Sequence, residues 1–164
     1  MKTFLTLYTA LYFSAMSAQS DTLNFNKIKI NDKVSLEQSS EQVFSNLGIP
    51  KERKPYFNEI EDITMEQVTI RGSKFYFLDN KLDSFEITSS FFFVYNPSIR
   101  IGNSINSLKD IFPKSFLFKR EEDSKGFMDV QLFSDDVGLM DLYLLITFDV
   151  NTKLITEISI WSPN

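Results

Sequence analysis

Carboxylates carry nearly all the acid–base chemistry this sequence offers. It holds 22 Asp and Glu residues and neither histidine nor cysteine. That removes Ser-His-Asp and Cys-His catalysis together with the commonest metal ligand. A zinc site would have to be all carboxylate, which zinc proteins rarely use. The acids gather in three places: Glu59, Glu61, Asp62 and Glu66; Glu121, Glu122 and Asp123; and Asp135 with Asp136. A converging pair of carboxylates is the machinery of glycoside hydrolysis. No group here sits in the aromatic, glycine-rich context of a sugar cleft, and acid runs in loops are ordinarily solvated. The five glycines are scattered singly, so there is no phosphate-cradling loop. Asp149-Val-Asn151 imitates positions one and three of a calcium loop, but Leu154 occupies position six, where the sharp turn needs glycine. That segment reads as a hairpin turn. The residues therefore predict no enzyme, no metal and no cofactor.

A second kind of chemistry lies in the aromatic residues, 17 phenylalanines and one tryptophan. Alternation sorts them into faces, because successive strand side chains point to opposite sides. Phe75 and Phe77 oppose Tyr76. Leu142, Leu144, Ile146 and Phe148 oppose Tyr143 and Leu145. Ile158 and Ile160 oppose Trp161. A straight strand through Phe85, Ile87, Phe91, Phe93 and Tyr95 would turn Phe92 and Val94 the other way. If the first set faces the core, the second forms an apolar surface, and such surfaces mark partner sites. The candidate partner-binding residues are Tyr76, Phe92, Tyr143 and Trp161. A one-residue bulge would reverse a face assignment.

Two similar stretches of chain would position these residues. Ile28-Lys-Ile30 opens the first, and Ile99-Arg-Ile101 opens the second. Ser39-Ser-Glu-Gln42 is a helix-start signal, with Val43, Phe44 and Leu47 at helical spacing and Gly48 and Pro50 as the stop. Lys51 to Pro55 reads as a charged loop. Strands follow around Val68 and Ile70, Phe75 and Phe77, and onward from Phe85, with a turn at Asp79-Asn80. Asn96-Pro97 breaks the last of these and marks a boundary. In the second stretch a helix is expected around Ser107 to Phe112, and a charged loop over Lys119 to Gly126. Strands follow around Met128, Val130 and Leu132, around Leu144, and around Ile158. Each stretch closes on a Lys-Leu hairpin, Lys81-Leu82 and Lys153-Leu154. The expected fold class is α+β: two tandem pseudo-repeats of a short helix plus antiparallel strands, helices on one sheet face.

Leu47-Gly-Ile-Pro50 and Phe77-Leu-Asp-Asn-Lys-Leu82 carry a resemblance. They look like the helix-plus-antiparallel-sheet modules of the β-lactamase inhibitor protein, which has two in tandem. They also resemble the outer-membrane assembly lipoproteins of the SmpA/OmlA type, which have one. Ile101-Gly-Asn-Ser104 and Lys153-Leu154 match less fully. The resemblance implies topology first and partner binding second. The chain departs from both groups in having neither disulfides nor a lipidated cysteine.

The start of the chain reads as a secretory signal. Lys2 is followed by an uncharged, mostly apolar run from Phe4 to Met16, then by small residues at Ala15, Ser17 and Ala18. The run is too short to span a bilayer of ~30 Å. The expected divisions are a signal peptide at 1–18, a first unit at 19–96 and a second at 97–164. The protein is thus expected to be exported, periplasmic or extracellular, without a lipid anchor or a transmembrane segment. Its formal charge is −5, and −6 once Lys2 is removed, which disfavours nucleic acid. The leading expectation is a non-enzymatic protein that binds another protein, of inhibitor, immunity or envelope-assembly type. The alternative is a binder of a small apolar ligand or lipid in a Phe-lined pocket.

Overall fold

The chain forms little helix, and about half of it is strand. The computed structural model describes residues 20–59 and 61–162; the expected signal at 1–18 lies outside them. Helix α1 (Ser40–Leu47) begins at the expected capping box. The Ser39 hydroxyl accepts from the Gln42 amide, and the Gln42 side chain accepts from the Ser39 amide. Gly48, at φ 112, ends it. The only other α-helix among the described residues is α2 (Pro113–Leu117), with proline in its first turn. The strands are β1 (Thr22–Asn24), β2 (Lys29–Ile30), β3 (Val34–Ser35), β4 (Glu52–Asn58), β5 (Ile63–Ile70), β6 (Ser73–Leu78) and β7 (Lys81–Ile87). Then come β8 (Phe93–Val94), β9 (Asn96–Arg100), β10 (Arg120–Glu122), β11 (Lys125–Ser134), β12 (Gly138–Asp149) and β13 (Ile155–Trp161).

Strand accounts for 51% and helix for 14% of the structure. The expected α+β fold, with helices laid on one sheet face, is therefore corrected: the protein is mostly β. One mixed nine-stranded sheet runs β1-β11-β12-β13-β7-β6-β5-β4, with β10 also on β11. A small four-stranded sheet, β3-β2-β8-β9, packs beside it. Three readings account for the error. Lys51 to Pro55, read as a loop, lies mostly in edge strand β4, and Lys119 to Gly126 forms the hairpin of β10 and β11. The helix expected at Ser107 to Phe112 is instead a 3₁₀ turn, Ile105–Leu108, capped by Ser104.

The large sheet is continuous only because β7 pairs with β13. That pairing is short: Ile158 opposite Ile87, and Ser159 opposite Glu86. On either side lie four strands of matched order, β4-β5-β6-β7 and β10-β11-β12-β13. The segment before each helical turn is tied to its central strand in the same way. The Glu37 amide donates to the Leu82 carbonyl, the Leu82 amide to Gln38, and the Ser40 amide to Asn80. Likewise Gly102 donates to Ile155, Ile155 to Asn103, and Ile105 to Lys153. One residue further on, each central strand bulges, at Asp83 and at Thr156.

The hairpin turns carry the backbone that their residues permit. Asp79 and Asn80 both lie at positive φ, 48 and 65, as a two-residue hairpin matched to strand twist requires. Inside, Val68, Phe75, Phe85, Ile87, Val130, Leu144, Ile146 and Ile158 line one sheet face and are fully buried. Phe44 of α1 meets Phe77 edge-on at 5.7 Å. Gly126 is paired with Phe148, and a Cβ built on it would overlap the Phe148 ring. The ring lies over the glycine and has no room to leave a packed core. Gly126→Ala should therefore destabilise the protein by about 1–3 kcal/mol in denaturant melts. An unchanged midpoint would show that Phe148 moves freely.

Candidate functional site

The sheet face turned away from the core is the candidate site. Cross-strand register places Gln67, Tyr76 and Ser84 in one row, and Gln131, Tyr143 and Trp161 in another. Tyr76 and Trp161 lie on the outer face as alternation predicts. Tyr143 packs against Trp161 with ring centroids 5.9 Å apart, and Trp161 is 41% exposed. Tyr76 meets Tyr56 at 5.0 Å.

Phe92 does not belong to this face. It is fully buried and packs edge-on against Phe75 at 5.8 Å. The straight strand through it fails because β7 ends at Ile87. The Ser73 hydroxyl then accepts from the amides of both Thr88 and Ser89, which bends the chain. After the bend Phe92 and Val94 turn inward, while Phe91 is left half-exposed over the Arg71 guanidinium, 3.7 Å from its ring.

Tyr56 and Met65 are site residues that the sequence reading passed over. Tyr56 lies on β4, opposite Met65. The available signal was the alternation Glu52, Lys54, Tyr56 against Arg53, Pro55, Phe57. It was hidden because an exposed edge strand is rich in charge and tolerates proline, as loops are.

Between the two aromatic pairs the face is polar. Lys74 bridges Glu86 through both carboxylate oxygens at 2.8 and 2.9 Å. The Tyr76 hydroxyl points at the same carboxylate, 3.5 Å away. Burial, then the negative charge of Glu86, pushes the Tyr76 phenol well above its usual range, so it stays protonated and can donate. Burial raises Tyr143 in the same direction. Glu157 is raised by burial and by Glu86, against Lys125 and Lys74. Asp129 is raised by burial despite its salt bridge to Arg120 at 2.9 Å.

Beside this row the sheet opens. Beyond Ser159 and Glu86 the two central strands no longer pair, and further back on β7 the Leu82 backbone bonds to Glu37 and Gln38. An open cleft of about 560 Å³ results, with Tyr56, Met65, Tyr76, Ser84 and Glu86 on one side and Met140, Leu142, Ser159 and Trp161 on the other.

The acids singled out by sequence go several ways. Glu66 pairs with Arg53 and Glu121 with Lys153. Asp135 accepts from Asn24. Asp149 accepts from the Asn151 and Thr152 amides and from the Thr152 hydroxyl, which makes that segment a capped hairpin turn. Glu61 lines the cleft. Among the described residues no group of three or more acids is placed to hold a metal ion. No helix among them is long and apolar enough to cross a membrane. No protein-family model matches the chain, and neither a curated protein nor a solved structure matches it.

The Glu157 shift has a testable sign. A carboxyl raised on folding opposes the folded state above its folded pKa. That cost is relieved as pH falls through the folded value towards the ordinary 4.5. Glu157→Gln removes the ionisation. The variant should melt above the parent protein at pH 7.5, and the gap should shrink on acidification to pH 5. A gap that is constant with pH would remove Glu157 as a titrating group of this face.

Proposed function

We propose that this protein is an exported, non-enzymatic binding protein that holds another protein on its outer sheet face, as an inhibitor, immunity or envelope-assembly factor. One observation carries the reading: two ring pairs, Tyr56 with Tyr76 and Tyr143 with Trp161, stand on an outer sheet face beside an open cleft. Tyr and Trp anchor interfaces because they desolvate a large rigid area while keeping one polar atom for a directed bond. Tyr76 and Tyr143 remain protonated donors at neutral pH, which suits that role. The signal-like start at 1–18 supports export to a periplasmic or extracellular site, and the lack of cysteine argues against lipid anchoring.

The second reading, a small apolar ligand or lipid, draws on the cleft, whose volume is in the range of ligand sites. Its lining includes only two phenylalanines, Phe25 and Phe85, against four carboxylates, so it suits a lipid tail poorly.

A photo-crosslinking phenylalanine analogue at Trp161 tests the reading, with the exposed position Lys109 as control. Incubated with envelope extract, the Trp161 probe should trap one discrete partner that the control does not. With that partner purified, Trp161→Ala should weaken binding by about 30-fold or more. It should cost at most about 2 kcal/mol of stability, below the ~3–5 kcal/mol of a buried tryptophan. A stability loss in that higher range, with affinity retained, would make Trp161 a plug on the sheet and sink the proposal.

A further inference from the structure

We infer that the cleft between β7 and the end of β13 receives an organic cation, an ammonium or guanidinium group on an apolar stem. The geometry arises from the opening of the sheet. Strand β13 continues as Ile160-Trp161 with no pairing to β7 beyond the Ser159–Glu86 pair, and β7 is bonded at Leu82 to Glu37 and Gln38, so a cleft lies between the two strands. The walls present aromatic rings, Phe25, Tyr56, Tyr76 and Trp161, and carboxylates, Glu37, Glu61, Asp83 and Glu86. No lysine or arginine is among the described residues that line it. Of the four acids only Glu86 has a salt-bridge partner among the described residues, Lys74; Glu37, Glu61 and Asp83 have none there. An anionic guest would meet uncompensated charge of its own sign, whereas a cation meets both carboxylates and ring faces.

A second, independent observation points the same way. The chain covers many of its rings with its own cations: Arg53 over Phe44, Arg71 over Phe91, Arg100 over Phe93, Lys119 over Phe116, Arg120 over Phe127 and Lys153 over Phe148. None of these rings lines the cleft. Among the described residues its aromatic faces and the carboxylates of Glu37, Glu61 and Asp83 thus lack the cation that the rest of the molecule supplies internally, although Glu61 accepts a hydrogen bond from the Asn58 side chain. The source of the cation rests on the protein-binding reading: it is a lysine or arginine side chain of the partner. The same chemistry could come from a free alkylamine, and the experiment separates the two.

The full chain, isotopically labelled, is titrated in NMR with Nα-acetyl-arginine amide, Nα-acetyl-lysine amide, their uncharged isostere Nα-acetyl-norleucine amide, and cadaverine. The two cationic amides should shift the resonances of Trp161 and Tyr76, with the norleucine compound weaker by about tenfold or more. The variant Glu37→Gln/Glu61→Gln/Asp83→Asn changes only exposed side chains, and its folding is checked by its melt. It should lose the same factor for the cations and nothing for norleucine. Equal binding of norleucine, or cation binding unchanged in the triple variant, would overturn the inference. Cadaverine binding far more tightly than either amide would keep the cation site and overturn its assignment to a protein side chain. Trp161 crosslinking that finds no partner, with the cationic amides still bound, would defeat the protein-binding reading and leave the cation site standing.

Discussion

Two residue pairs hold the large sheet together. Ile87 opposite Ile158 and Glu86 opposite Ser159 are the whole of the β7–β13 pairing, with four strands on the β7 side of it and five on the β13 side. The pair fixes both faces at once, because strand alternation leaves no choice after one residue is placed. With Ile87 and Ile158 fully buried, the inward sets of both halves merge into one core. With Glu86 and Ser159 outward, Tyr76 and Trp161 must point outward too, each an even number of strand positions from the junction. A short junction also has a consequence for shape. Strands with their own right-handed twist stay parallel only where hydrogen bonds hold them. Past the two pairs nothing does, and the sheet opens.

Past the junction, β7 is bonded to its own leader segment. The Leu82 backbone spends its outward-facing amide and carbonyl on Gln38 and Glu37. The same device is present on β13, where Gly102 and Asn103 take the backbone of Ile155. Backbone groups beyond the junction are thus satisfied on both strands, since a buried donor or acceptor must find a partner somewhere.

Much of this could be read from residue order, and the failures share a physical cause. Local signals with one mechanism were legible. The Ser39–Gln42 box, the Gly48 stop and the Asp79-Asn80 turn each depend on side chains or φ values within a few residues. So was the inward alternation of Val130, Leu144, Ile146 and Ile158, because burial there is continuous. Edge strand β4 was not legible: Glu52-Arg-Lys-Pro55 is charged because it protects an open edge, and a charged stretch looks like a loop. Nor was β1, whose three residues lie parallel to β11 at Thr22–Asn24 and offer little pattern. Phe92 was misplaced by a contact far from it in sequence, the Ser73 hydroxyl that bends Thr88 and Ser89. Three of the four site residues read from the sequence lie on the outer face. The fourth fell to a bend that no periodicity records.

The chemistry of the outer face follows from how this acidic chain disposes of its carboxylates. Where a cation is within reach, an acid is paired and the pair is worth little at the surface: Arg53 with Glu66, Lys153 with Glu121. Where an acid is drawn towards the sheet, as at Glu157 and Asp129, burial raises its pKa and works against the fold at neutral pH. Such groups persist in a structure at a cost to the stability of the isolated chain. On this face they lie among protonated tyrosines and a half-exposed tryptophan. A guest carrying positive charge would relieve the repulsion of Glu157 by Glu86. The energy that the free protein loses by holding these acids close would then return on binding, which is how a destabilised surface becomes a selective one.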